Sequence, residues 1–292
     1  MSHRCVIAVT LLLGAIHVVY GFQNGVSVVV PNGLESLSGN MGSGVPFAIQ
    51  EAPSIPSMRY QQVYASTAFA AVSTNGAFLT HLAFRPGSNY GISAGSSNVL
   101  IKFSTTSKLP DNLNVSFDQN VGSDETTVFG PARLVISGQA GFPFSVIEIP
   151  LTNVFWYNPT AGNLLLDITI VRTDPQRIQT MYLDAQNVFG DSVSRMYSTN
   201  AVASIAAEVD SVGLVTAFNF YPIPLLMISS STNGFVITWP GQPSNFILQF
   251  ADRLVPPNWQ NDTNAIIDGA YRTVTLPSNS LASSKFFRLK AK

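Results

Sequence analysis

The sequence predicts an all-β protein, a jelly-roll-like sandwich over residues 58–221 followed by a small C-terminal β-module over 222–292. Three observations carry that expectation. Apolar side chains recur with a period of two, turn residues punctuate the chain at short intervals, and charge is scarce. Of 292 residues, 46% are hydrophobic and only 11% charged, with 21 Gly, 18 Pro and a net charge of −1. Soluble domains are about 25% charged, so long charged helices have little to be built from. A basic patch for nucleic acid is equally absent. Gly, Pro and Asn are the residues that many tight turns need.

Met1–Gly21 reads as a secretory signal. Arg4 supplies the positive end, Val6–Val19 the apolar core, and Val19-Tyr20-Gly21 a cleavage context ahead of Phe22. The apolar run is shorter than the about 20 residues a membrane helix needs. Cleavage would leave 15 − 1 = 14 basic against 16 acidic residues. It would also remove Cys5, the only cysteine, with His3 and His17, leaving His81 as the one histidine. Such a chain has no disulfide and depends on core burial, which its size permits.

Residues 22–57 read as one strand, Val26–Val30, stopped by Pro31-Asn32-Gly33, then an irregular cover segment. Its GNMGSG run lacks the Lys-Ser/Thr partner of a phosphate loop. Strands follow at Arg59–Tyr64, with Tyr60, Gln62 and Tyr64 on one side, and at Phe78–Arg85, with Phe78, Leu82 and Phe84 inward. A helical turn lies between them in Ala65–Val72. A Gly/Ser loop over Pro86–Asn98 leads to Asn98–Ser104, which turns Val99, Ile101 and Phe103 inward. After a polar loop, Thr105–Glu125, strands recur at Thr126–Phe129, Arg133–Ser137, Thr180–Asp184, Val193–Tyr197 and Leu214–Tyr221.

Ser145–Val171 organises this part. Ile147, Ile149 and Leu151, then Leu164, Leu166, Ile168 and Ile170, alternate with more polar neighbours across an Asn158-Pro159 and Gly162-Asn163 turn. The pattern predicts two half-buried strands that require a second sheet as cover. Pro222 and Pro224 interrupt pairing and mark a boundary. Beyond it, Phe235–Trp239, Phe246–Phe250, Tyr271–Leu276 and Lys285–Leu289 form the last module, with Trp239, Trp259 and Phe286 or Phe287 as its expected core.

The phrases VVPNGL (29–34), RYQQVY (59–64), LAFRP (82–86), FSTTS (103–107), VGSDETTVF (121–129) and YNPTAGNLLLDI (157–168) occur together. In these the chain resembles secreted, largely uncharacterised bacterial β-sandwich proteins that often carry a PEP-CTERM sorting tag. The C-terminal FVITWP…FILQF…KFFRLK resembles a short β-module that ends many exported proteins of environmental bacteria. The tag itself is absent. The resemblance implies fold and export and brings no catalytic residues.

Candidate chemistry is sparse. GISAG (91–95) matches a nucleophile elbow, but Ser93 lies between two strands and no histidine follows it. His81 alone cannot make a His-rich zinc site. Asp118, Asn120, Asp124 and Glu125 offer hard oxygens to a structural calcium without EF-hand spacing, and otherwise cap a loop. Glu148 and Asp167 read as cross-strand neighbours on the organising strands. Tyr90, on a loop, and Trp156 and Tyr157, beside a turn, are the aromatics that would stack on a sugar ring. The leading expectation is an exported non-catalytic module for an extracellular glycan or cell-surface matrix, with no cofactor beyond that calcium. The alternatives are a secreted polysaccharide hydrolase and a structural assembly subunit.

Overall fold

The computed structural model describes residues 7–12, 15–19, 25–47, 57–87, 92–138, 147–149, 151–171, 182–221, 226–232, 234–241, 246–253, 255–268, 271–277 and 285–291. Tyr90 and Pro222–Pro224 lie outside them. The described chain is all-β and sandwich-like, with antiparallel sheets, no α-helix and two single-turn 3-10 segments, Ser66–Phe69 and Phe117–Gln119. It divides into two compact units, residues 26–220 and residues 1–25 with 221–292.

The larger unit is built on a six-stranded sheet. Its order is Glu208–Asp210, Val193–Ser198, Met58–Tyr64, Asn163–Val171, Ile92–Thr106 and Thr126–Gly138. A five-stranded sheet carries Phe155–Tyr157, Ala77–Phe84, Thr216–Tyr221 and Val26–Val30, with Ile147–Ile149 also on Ala77–Phe84. Val212–Leu214, Leu183–Asn187 and Met41–Ser43 make a short third sheet. One core joins them: Tyr60, Tyr64, Ile101, Phe103, Leu164, Leu166 and Ile168 meet Leu79, Leu82, Phe218, Phe220, Leu183 and Leu214. The 3-10 turn inserts Phe69 edge-on to Tyr157, Phe218 and Phe220 at 5.1, 5.5 and 5.7 Å.

A polar seam crosses this core. Gln62 accepts the Leu214 N–H at 2.8 Å and donates to the Leu214 carbonyl at 3.0 Å, so its amide replaces a strand partner. Tyr64 and Thr216 hydroxyls pair at 2.9 Å, and Tyr60 donates to Gln62. At Gly130 the Thr126–Gly138 strand bends with φ +78, and a Cβ there would lie 2.0 Å from the Val99 carbonyl. The two strands expected at Thr126–Phe129 and Arg133–Ser137 are therefore one, bent at a glycine.

The structure corrects several expectations. Ile147–Ile149 and Asn163–Val171 are not paired with each other. The first pairs Ala83 with Glu148 in the five-stranded sheet, and the second pairs Gln61 and Lys102 with Asp167 in the six-stranded one. The segment between them crosses from sheet to sheet, so Glu148 and Asp167 are not neighbours. Along Ala77–Phe84 the alternation breaks. Ala77 and Leu79 face the core, then Leu82 and Phe84, with half-exposed Thr80 and His81 between. The break falls where Phe155–Tyr157 stops pairing with residues 77–79 and Ile147–Ile149 starts with 82–84. Phe78 therefore points away from the main core. Strand begins at Ile92 inside the expected Pro86–Asn98 loop.

The smaller unit holds a four-stranded sheet, Met227–Ser231, Gly234–Pro240, Tyr271–Pro277 and Ile266–Asp268. Its five-stranded sheet orders Ala15–Val19, Ile7–Leu12, Lys285–Ala291, Phe246–Ala251 and Gln260–Asn261. The run that reads as an export leader is thus a hairpin in the structure, with Ile7 opposite Phe287. β-Branched residues suit either state. Trp239 and Phe287 are buried as expected, and Leu248 with them, while Trp259 is only half-buried, beneath the Arg288 guanidinium at 4.2 Å.

Candidate functional site

The face of the six-stranded sheet that turns away from the main core has its own cover. Val63, Leu165 and Met196 on the sheet pack with Leu113 and Phe117 on the Thr105–Glu125 loop. Beside them lies a buried polar network. Gln61 Nε2 donates to Asp167 Oδ2 at 2.7 Å and to the Phe117 carbonyl at 3.1 Å, and Asn120 Nδ2 donates to Gln61 Oε1 at 3.0 Å. Arg59 donates to Asp167 at 3.2 Å and Asp118 at 2.9 Å, with its guanidinium 4.6 Å from the Phe117 ring centre. Burial raises the Asp167 carboxyl above the usual range, against the pull of Arg59 and Gln61.

All four residues of the candidate calcium loop have protein partners. Asp118 meets Arg59, and Asn120 Oδ1 accepts from the Asn114 N–H at 2.8 Å. Asp124 Oδ1 accepts from the Thr105 N–H at 2.7 Å, and Lys102 donates to Glu125 at 2.7 Å. Each bond ties the loop to itself or to the sheet beneath. Among the described residues, no three His, Cys, Asp or Glu side chains are grouped to hold a metal ion.

Three loops join over this face. Phe117 N–H donates to the Ser204 carbonyl and Ala206 N–H to the Val115 carbonyl, at 3.1 and 2.9 Å. At its other end, Asp111 Oδ2 accepts from the Gly190 N–H at 2.7 Å, which binds the 187–191 turn to the loop. Leu109-Pro110-Asp111-Asn112 is a turn with φ +59 at Asp111, the position that requires it, closed by Asn112 N–H to the Leu109 carbonyl. Val188-Phe189-Gly190-Asp191 repeats the form, with Gly190 at φ +83. These joined loops carry exposed apolar side chains: Phe189 at 82%, Val202 at 86%, Leu109 at 57%, Val115 and Ile205 at 54%.

Asp111 and Asp191 come together where two of these turns meet. One oxygen of each takes a backbone N–H, from Gly190 and from Val193 at 2.8 Å. The other oxygen of each, Asp111 Oδ1 and Asp191 Oδ2, is buried without a hydrogen-bond partner. Burial and then the Asp111 charge push the Asp191 carboxyl up to about 6, against the Val193 N–H.

Of the aromatic candidates, Tyr90 lies outside the described residues. Tyr157 is wholly buried, with its hydroxyl donating to the Gly162 carbonyl at 2.9 Å and burial holding it far above the usual phenol range. It cannot meet a ligand, which corrects the expectation for that residue. Trp156 is half-buried and lies over Phe78 at 4.7 Å and Gly76, where it covers the outer face of the five-stranded sheet. Ser93 sits within a strand, not at a strand-to-helix turn. His81 Nε2 pairs with Glu148 at 3.3 Å on a solvated face.

Phe189 and the Asp111–Asp191 pair were not singled out from the sequence. The Phe-Gly-Asp and Pro-Asp-Asn turn signals mark where such side chains would sit. No family model, no curated protein and no solved structure matches the chain.

Proposed function

We propose that the chain is an exported, non-catalytic β-sandwich acting at a cell surface or in a matrix as a glycan-binding module, with the joined loops around Phe189 as its contact surface. One observation carries the reading: a large aromatic ring stands 82% exposed on a tightly hydrogen-bonded turn. An exposed ring on a rigid loop offers a stacking face at little entropic cost. Export rests on the Arg4 and Val6–Val19 pattern and on the resemblance set out above. Fractionation of cells making the full chain tests it, with mature protein starting near Phe22 expected outside the cytoplasm. A glycan array tests the binding, with hits expected for the natural chain and lost in Phe189→Ala.

A secreted polysaccharide hydrolase is the second reading, favoured by the approach of Asp111 and Asp191. Glycosidases hold their carboxyls about 5–9 Å apart across a cleft that admits a sugar. The inward oxygens here are shielded from solvent, which favours a structural role. Release of reducing sugar from a polysaccharide panel, lost in Asp191→Asn, would establish the hydrolase instead.

A further inference from the structure

We propose that the smaller unit docks on an anionic lipid surface through the end of its five-stranded sheet that carries Arg253, Val255, Trp259 and Lys285. Charge is divided unevenly along the chain. Residues 222–292 hold six Lys and Arg against three Asp and Glu, a net +3, whereas residues 22–221 hold eight against thirteen, a net −5. An anionic surface attracts the first segment and repels the second. The register gathers the docking residues. Ala251 stands opposite Phe286 where Phe246–Ala251 pairs with Lys285–Ala291, and Phe250 stands opposite Gln260. Trp259 is therefore level with Ala251, with Lys285 one position and Arg253 two positions beyond that level.

The chemistry at this end suits the boundary between headgroups and acyl chains. The connection to Gln260–Asn261 passes Asp252, its one acid, then Arg253, Val255, Pro256 and Pro257, all exposed, with Val255 at 87%. Two prolines with fixed φ present this apolar tip with little entropy left to lose. Trp259, at its base, is half-buried against the Arg288 guanidinium at 4.2 Å. Trp is the side chain that membrane interfaces favour, since its ring is amphipathic. Lys285 Nζ lies 4.9 Å from the Phe250 ring centre, and none of the described ion pairs includes Arg253 or Lys285. Each Lys or Arg held at an anionic bilayer strengthens binding about fivefold. An acidic polysaccharide would meet the same charges but gain nothing from the aliphatic tip, and that tip favours lipid.

The test is co-sedimentation of the full chain with vesicles of phosphatidylcholine alone and of phosphatidylcholine with about one-third phosphatidylglycerol, for the natural protein, Arg253→Glu, Val255→Ser and Lys290→Glu. Lys290 is exposed and stands opposite Ile247, at the far end of the same strand pair. Five strand positions separate it from Lys285, about 17 Å, which exceeds the screening length of about 10 Å at 0.1 M salt. The three substituted residues are exposed, so melting temperatures should stay within about 1 °C. The Ile7–Val19 run is common to all four chains, so differences between them isolate this end. The natural chain should prefer the mixed vesicles about tenfold or more. Arg253→Glu should weaken that binding about tenfold and Val255→Ser about threefold, with Lys290→Glu within about twofold of the natural chain. Equal affinity for the two vesicles, equal losses in the two charge reversals, or undiminished binding by Val255→Ser overturns the proposal. So does retention on dextran sulfate with binding to neither vesicle, which would assign the surface to an acidic polysaccharide. Phe189→Ala should bind the vesicles as the natural chain does, so the lipid and glycan results are read separately.

Discussion

Arg59 lies 3.2 Å from the buried carboxylate of Asp167 on the sheet, and the same nitrogen reaches Asp118 on the covering loop at 2.9 Å. One side chain thus neutralises a buried charge and clamps the loop above it. The two contacts differ in energy because Asp167 is 7% exposed at its side chain and Asp118 72%.

Arg59→Ala should cost about 3 kcal/mol or more, because it strands a buried carboxylate. Asp118→Ala should cost less than about 1 kcal/mol, as exposed pairs do. Urea denaturation of the two variants against the natural chain measures both, and equal losses would contradict the assignment.

Gln62→Leu should cost about 2–4 kcal/mol, since the Leu214 N–H and the Tyr60 hydroxyl would both lose their acceptor inside the core, while the Leu214 carbonyl keeps the Thr216 hydroxyl at 2.9 Å. The volume change is small, so the loss reports the hydrogen bonds and not a cavity. A melting temperature unchanged by this substitution would show that the seam is dispensable.

Gly76 has φ +87, and a Cβ there would approach the Trp156 ring to 2.6 Å. Gly76→Ala should therefore destabilise by about 1–3 kcal/mol through backbone strain and overpacking. Trp156→Ala should uncover Phe78 and lower stability by about 1–2 kcal/mol, less than a fully buried large side chain because Trp156 is half-buried. Thermal unfolding checks both, and loss of ligand binding at unchanged stability would move Trp156 from packing to recognition.

The Asp118–Glu125 loop is already secured by protein bonds, so 1 mM calcium against EDTA should move the melting temperature by less than about 1 °C. A rise of several degrees, removed by Asp124→Asn, would assign that loop a metal.

Much of the fold was legible in local pattern. RYQQVY places Tyr60 and Tyr64 in the core, and NVLIKFS does the same for Val99, Ile101 and Phe103, because a side-chain period of two survives in any sheet. The pairing of strands was not. Ile147–Ile149 and Asn163–Val171 carry the alternation of a hairpin yet belong to different sheets, since period two says which face is apolar and nothing about the neighbour. The break at Thr80-His81 was hidden for a related reason: it is imposed by two partner strands distant in sequence.

At the candidate site, the acidic loop was legible as oxygen-rich. The sequence could not show that Lys102, Arg59 and the Thr105 N–H reach those oxygens first. Asp111 and Asp191 are 80 positions apart, and only tertiary folding brings them together.

The most direct measurement of the proposed role is retention of the purified chain on a panel of immobilised glycans, natural protein against Phe189→Ala. Phe189 is 82% exposed, so its removal should leave the melting temperature within about 1 °C. The binding-module account predicts that the natural chain is retained, that the variant is not, and that neither releases sugar. Equal retention of the two proteins, no retention of either, or cleavage of any glycan would contradict it.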